Sequence, residues 1–165
     1  MNTQPTVIRK HWFGLLVILL IGGAVMGLIA GLMTIFYYQS ALTLTLYVVL
    51  SVVLVTVLAA TVVTGYVYRL SFMAITDSQL EFTNWYTLFY DSQSVCEWRN
   101  IEDVNVKRGG IFAQILGFGT LLVQTAGTQN NLTMTMVPKV EALRNELASR
   151  ADAATAKVPY PVEPY

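Results

Sequence analysis

The chain carries one histidine, His11, and one cysteine, Cys96, among 165 residues. A Ser-His-Asp or Cys-His nucleophilic site needs its imidazole beside the nucleophile. His11 instead stands at the edge of a long apolar stretch, where it reads as an interfacial residue. The same two counts exclude His-His metal clusters and cysteine-rich zinc sites. Cys96 alternates with Trp98, the spacing of one strand face, and reads as a buried structural thiol. The acids Glu97, Glu102 and Asp103 fall among polar residues on strand-like segments, the pattern of a solvated face rather than a paired catalytic or metal site. Gly117-x-Gly119 lacks the further glycine or Lys-Ser/Thr of a phosphate loop and precedes a strand, so it reads as a turn or bulge. Asn131-Leu132-Thr133 fits a glycosylation sequon, yet falls on the side that the charge pattern makes cytoplasmic. These residues point to no enzyme, no cofactor and no small-molecule substrate.

Two segments have the composition of binding surfaces instead. Lys107-Arg108-Gly109-Gly110-Ile111-Phe112-Ala113-Gln114-Ile115-Leu116 joins two basic residues to four large apolar ones. In one reading Ile111 and Phe112 enter a lipid surface or a partner groove, with Lys107 and Arg108 on anionic headgroups. In the other, Ile115, Leu116 and Phe118 close the end of a barrel and the glycines shape the loop. The second segment, Val158–Tyr165, has three prolines and leans to polyproline II. It could dock on an aromatic groove or remain a flexible tail.

The elements that must position these residues are set by charge. Hydrophobic residues make up 55% of the chain and charged residues only 12%, about half the charged share of a soluble domain. The mean hydropathy is +0.54. Ten Lys and Arg balance ten Asp and Glu, so no basic field favours nucleic acid. Residues 11–68 contain no Asp, Glu, Lys or Arg. A membrane-spanning helix needs about 20 apolar residues, so this gap holds two. The divider is Tyr37-Tyr38-Gln39-Ser40-Ala41. It predicts one helix over about 12–36 and a second over about 42–68, a transmembrane hairpin covering 12–68. Backbone groups in lipid must bond internally, which favours helices over strands. Trp12, Tyr37, Tyr38, Tyr66 and Tyr68 fall at the helix ends, where interfacial anchors belong. Arg9 and Lys10 precede the first helix and Arg69 follows the second, while the turn is uncharged. The positive-inside rule then puts both termini in the cytoplasm of a multi-pass protein of the cell's inner (plasma) membrane. A cleaved signal peptide fits less well, because the first apolar run is far longer than the usual 7–15 residues.

Gly23, Gly27 and Gly31 recur every fourth residue and share a face of the first helix. Small residues let another helix backbone approach closely in lipid. That other helix is either the second of the pair, through Ser51, Thr56, Ala59 or Ala60, or a second copy or another membrane protein.

Beyond Arg69 the apolar pattern alternates. Strands are predicted over Ser71–Thr76, Gln79–Asn84, Val95–Arg99, Ile101–Lys107, Thr120–Thr125 and Leu132–Val137. Asp77-Ser78 reads as a tight turn, Asp91-Ser92-Gln93 as a polar gap, and Ala126–Asn131 as a hairpin loop. Pro138 suits a first helical position, and Val140, Leu143 and Leu147 then form an apolar stripe. The expected organisation is an N-terminal cytoplasmic segment 1–11, the hairpin 12–68, a β domain 69–151 and a Pro-rich tail 152–165. The β domain reads as a barrel or sandwich of about seven antiparallel strands capped by a C-terminal helix.

Ile75-Thr76-Asp77-Ser78-Gln79-Leu80 resembles the strand-turn-strand opening of the bacterial pleckstrin-homology-like family with membrane anchors (the bPH2 or DUF304 type). Ile101-Glu102-Asp103-Val104 is similar to that family's central strand. Leu116-Gly117-Phe118-Gly119-Thr120-Leu121 followed by Gln124-Thr125-Ala126-Gly127 resembles its "LGxGTL…TAG" segment, and Arg9-Lys10-His11-Trp12 its lead-in. The resemblance covers about residues 9–150. It implies two orthogonally packed antiparallel sheets capped by a C-terminal helix, a bacterial origin, no enzyme activity, and an adaptor or assembly role among membrane proteins or copies of the chain. Phosphoinositide-binding relatives use a basic cluster in the first strand-strand loop. Thr76–Gln79 carries Asp77 and no Lys or Arg, and residues 69–151 hold seven basic and eight acidic residues. Headgroup recognition by a basic pocket is therefore not expected.

Overall fold

The computed structural model describes residues 5–38, 44–126 and 131–156. The chain opens on a strand, β1 (Thr6–Arg9), followed by two long helices, α1 (Trp12–Tyr38) and α2 (Leu44–Leu70). Strands β2 (Phe72–Ile75), β3 (Gln79–Trp85) and β4 (Asp91–Glu97) come next, then a single 3-10 turn at Trp98–Asn100. Strand β5 (Ile101–Lys107), a short helix α3 (Ile111–Leu116), strands β6 (Phe118–Thr125) and β7 (Leu132–Pro138), and helix α4 (Val140–Ala156) complete it. All strand pairs among the described residues are antiparallel. One sheet has the order β1-β2-β3-β4 and the other β5-β6-β7.

The first strand corrects the expected domain division. Thr6–Arg9 is not a separate leading segment: Thr6 lies opposite Ile75 and Arg9 opposite Phe72. The helix pair is thus an insertion between two neighbouring strands of one sheet. Only Lys10 and His11 separate β1 from α1, and only Ser71 separates α2 from β2. At the other end, α4 continues to Ala156, into the region expected to be tail. Residues 157–165, with the Pro-rich segment, and the expected turn residues Gln39, Ser40 and Ala41 lie outside the described residues.

Alternation builds the core. Along β3 the apolar residues at every second position, Leu80 and Phe82, are buried while Gln79 and Glu81 between them are partly exposed. Met73 joins them from the neighbouring β2, Leu121, Val123, Met134 and Val137 come from the facing sheet, and Val140, Leu143 and Leu147 of α4 close the layer. Cys96 and Trp98 share this interior, as their spacing predicts. The expected strand Val95–Arg99 is displaced, however. The polar residues Asp91, Ser92 and Gln93 are paired within β4, opposite Trp85, Asn84 and Thr83, and Trp98 already belongs to the 3-10 turn. An edge strand tolerates such polarity because its outer face is solvated.

The helix pair packs through other glycines than those expected. A Cβ on Gly14 would overlap the Tyr68 ring, and one on Gly22 would overlap the Thr61 side chain. On Gly65 it would come 3.2 Å from Leu15 Cδ1. Cβ atoms at Gly23, Gly27 and Gly31 would meet nothing within 4 Å. The every-fourth glycine face is therefore turned away from α2, and Ser51 and Thr56 instead donate to the Tyr47 and Val52 carbonyls of their own helix.

Candidate functional site

Three connections place side chains at one end of the β domain, the end where the helices join it. Antiparallel strands reverse direction at each connection, so the β1–β2 and β3–β4 connections lie at the same end of their sheet. The first is the helix pair itself. In the second, the Trp85 N–H donates to Ser71 Oγ at 3.1 Å, which levels the end of β3 with the end of α2. The β5–β6 connection, α3, is brought to the same end by aromatic contacts with the start of α1. Phe13 stacks on Phe112 and on Phe118, each at 5.5 Å between ring centroids. His11 lies against Phe118 at 5.2 Å.

This junction is also hydrogen-bonded. The His11 N–H donates to the Met136 carbonyl at 2.6 Å, joining the first sheet's lead-in to the second sheet. Met136 can offer that carbonyl because β7 bulges there. Gly119 pairs with Val137 and Leu121 with Met134, leaving two residues of β7 opposite one of β6. Met136 takes the left-handed conformation at φ 59, uncommon for a residue with a side chain. Tyr68 Oη donates to the His11 carbonyl at 2.7 Å, and Lys10 Nζ sits 5.5 Å from the Tyr68 ring centroid. Tyr68 thus turns inward as a strut between α2 and the His11 corner. Trp12, Tyr37, Tyr38 and Tyr66 remain exposed, as anchors would be.

Within the segment 107–116, Ile111–Leu116 form the helix α3 rather than the expected loop. It is bracketed by Gly110 at φ 86 and Gly117 at φ 69, both in conformations that favour glycine. Ala113 packs inward while Ile111, Phe112 and Ile115 stand 73%, 64% and 74% exposed. Phe118 does close the barrel end; Ile115 does not. Of the two cations, Lys107 is exposed. Arg108 is half-buried and its Nη1 pairs with Glu141 Oε1 at 2.9 Å, so its charge is neutralised within the domain. Gly119 is a contact position, since a Cβ there would sit 2.9 Å from Val140 Cγ1 and 3.0 Å from the Lys107 carbonyl oxygen.

Little of the chemistry weighed in the sequence finds partners. Among the described residues no three His, Cys, Asp or Glu side chains converge as metal ligands. Glu97 pairs with Arg99 at 2.6 Å on the surface, and Asp103 accepts from Asn105. Cys96 is buried, and burial together with the nearby Glu97 carboxylate pushes its thiol pKa up, keeping it protonated and unreactive. His11 Nδ1 accepts from the Phe13 N–H at 3.2 Å. Desolvation holds its pKa below the usual value, so the ring is neutral at pH 7. Desolvation likewise lowers the pKa of Lys10.

The bacterial PH domain family model matches residues 13–151. The chain belongs to the bacterial PH domain family. Its two sheets and C-terminal helix have the PH-like arrangement, which suggests a binding or scaffold role. A solved structure similar in part is a DUF1696 family protein with a pleckstrin-homology domain from Shewanella loihica PV-4. It is 14% identical, with a TM-score of 0.39, over 49% of this chain and 70% of that one. No curated protein matches. The aromatic connection 86–90 was not singled out by sequence reasoning. The signal was present as a run of nine uncharged residues, 82–90, five of them aromatic.

Proposed function

We propose that this bacterial PH domain protein is a non-enzymatic, membrane-anchored interaction module. Helices α1 and α2 cross the inner (plasma) membrane as a hairpin, both termini are cytoplasmic, and the β domain is held at the inner face as a scaffold for membrane proteins or further copies of the chain. One observation carries the reading: the two strands that flank the hairpin, β1 and β2, are hydrogen-bonded neighbours. The domain therefore has no linker on which to roam. Such tethering raises the effective concentration toward a neighbour in the same membrane to the order of millimolar, enough to occupy weak contacts.

The helices support the anchoring half of this reading. Each has 27 residues and an 18-residue window with a mean hydropathy of 2.7, of which only 6% and 0% is buried. A core helix would be covered by its own protein; these present Leu, Ile and Val all round, which calls for lipid. Arg9, Lys10 and Arg69 gather at the domain end, the distribution of a cytoplasmic face.

Partner choice rests on two surfaces. Gly23, Gly27 and Gly31, uncovered by α2, suit a helix of a second copy or of a transporter or membrane enzyme, and make the accessory-subunit reading the second choice. Ile111 and Phe112 suit lipid or an apolar partner. An anionic-lipid sensor is less well supported, because Arg108 is already paired and leaves Lys107 as the exposed cation of that segment. A topology reporter fused at Tyr165 tests the anchoring: a cytoplasmic signal is expected, and a periplasmic one overturns the arrangement. Purification in mild detergent followed by mass spectrometry tests the scaffold role. A stoichiometric membrane partner or homo-oligomer is expected, and a protein that stays monomeric and alone in intact membranes after cross-linking counts against it.

A further inference from the structure

We infer that the β3–β4 tip, Tyr86–Tyr90, is a second membrane-insertion element that enters the headgroup layer of the bilayer spanned by α1 and α2. This rests on the hairpin reading above and adds to it a site on the other connection at the same end of the first sheet. Three observations place the tip there.

The first is register. Strand β2 leaves α2 and runs away from it, and β3 returns. Phe72 lies opposite Thr83, so Asn84 and Trp85 have already come back to the level of the helix end. The Trp85 N–H bond to Ser71 Oγ fixes that level. Residues 86–90 continue past it, on the side from which α2 arrives. A strand advances about 3.3 Å per residue and a helix about 1.5 Å, so a few residues of tip reach alongside the last turns of α2. Those turns carry Tyr66, the exposed interfacial anchor.

The second is chemistry. Phe89 is 96% exposed, the most exposed large apolar residue among those described, and Tyr86 and Tyr90 are each 62% exposed beside it. No charged residue lies between Glu81 and Asp91. A phenylalanine flanked by tyrosines matches the headgroup boundary, where amphipathic rings settle and an apolar ring can go deeper.

The third is order. The Tyr86 N–H donates to the Tyr90 carbonyl at 3.0 Å and the Thr87 N–H to the same carbonyl at 3.3 Å. The Phe89 N–H donates to Thr87 Oγ1 at 3.3 Å, and the Tyr86 and Tyr90 rings lie 5.6 Å apart. The tip is closed by its own bonds, so presenting Phe89 needs no rearrangement. Nothing in it is cationic, so the occupant is the apolar and interfacial layer of the bilayer, not an anionic headgroup.

The test uses the full chain in vesicles of phosphatidylethanolamine and phosphatidylglycerol. In a Cys96→Ala background, single cysteines Phe89→Cys, Ser78→Cys and Val55→Cys carry a small fluorophore, and quenchers sit at shallow or deep positions of the acyl chains. The expected result is strong loss of fluorescence at 89 with the shallow quencher, at 55 with the deep one, and none at 78, which lies at the far end of the domain. The signal at 89 should persist at high salt. Quenching at 55 with none at 89 overturns the tip insertion and leaves the hairpin intact. No quenching at 55 overturns the hairpin, and the tip proposal with it. Equal quenching at 89 and 78, or loss of the signal at 89 in high salt, overturns the tip proposal alone. Leu88→Cys, which keeps Phe89, repeats the measurement should the Phe89 variant fold poorly.

Discussion

At the end of the β domain away from the helices, Asp77, Ser78, Glu97, Arg99 and Arg150 surround an open polar groove floored by Trp98. At the other end, Tyr86, Phe89, Tyr90, Ile111, Phe112 and Ile115 stand out from the surface. The same strands run between the two. Strand alternation decides which residues face the core, but it leaves the connections free to differ, and antiparallel order sends them to opposite ends in turn. The far end takes the short polar Asp77-Ser78 turn. The helix end takes the hairpin, the aromatic tip and α3. A barrel with one wet and one apolar end has a preferred orientation at a membrane before any specific headgroup is considered.

The largest expected effect belongs to the far end. Trp98 is buried, its Nε1–H donates to the Thr76 carbonyl at 3.0 Å, and Arg150 lies 5.8 Å from its ring centroid. Trp98→Ala should cost about 3–5 kcal/mol of domain stability, through lost contacts and an unmatched carbonyl. Denaturant unfolding of the full chain in detergent measures it. A loss under about 1 kcal/mol would mean that the polar end is not held by this ring, and the contrast between the ends would be superficial.

Next comes the junction at the helix end. Gly14→Ala puts a methyl into the Tyr68 ring and should cost about 1–3 kcal/mol, as overpacking does. Gly31→Ala, with open space around it, should be neutral or slightly stabilising for the isolated chain, since alanine suits a helix better. Paired thermal melts separate the two. Equal losses would show that α2 covers the every-fourth glycine face after all.

How much of this was legible follows from the range of each interaction. The charge gap gave the helices and alternation gave most of the strands, because both patterns are local. β1 was not legible: four residues pair across the whole hairpin, Val7 with Ala74, and no short window contains both. Glycine spacing identified a face of α1 but not its azimuth, which Tyr68 and Thr61 decide by filling the gaps over Gly14 and Gly22. Ile111 and Phe112 were legible as a docking patch only beside the alternative of a closed barrel end, and the pairing of Arg108 with Glu141 needed the fold. The tip 86–90 was missed because an unbroken aromatic run has no period from which to infer a direction.

A smaller effect probes the apolar end directly. Ile111→Ser with Ile115→Ser removes two exposed side chains, so stability in detergent should change by no more than about 0.5 kcal/mol each. In vesicles the same pair should increase hydrogen exchange across residues 107–116 if α3 rests on the lipid interface. Unchanged exchange in vesicles would remove α3 from the apolar end's function and leave the tip to act alone. Marked unfolding in detergent would mean that these residues support the fold rather than contact lipid.

The smallest effect is the pH response of the His11 corner. Burial lowers the His11 pKa below the unfolded value, so the unfolded state binds the proton more readily. Stability is then fully present above about pH 6.5 and falls as the pH drops below it. The structural reason is the same: Nδ1 accepts the Phe13 N–H, and a protonated ring cannot accept. His11 is only partly buried, so the loss should be slight, and it should vanish in His11→Asn. Melting temperatures of both proteins between pH 7.5 and 5.5 give the comparison. Whatever is common to both proteins cancels, so only the difference between the two curves reports the helix end. A parent curve parallel to the variant's would mean that the imidazole is solvated in the folded state, and that the apolar character of this end begins beyond His11, at Phe13 and Phe118.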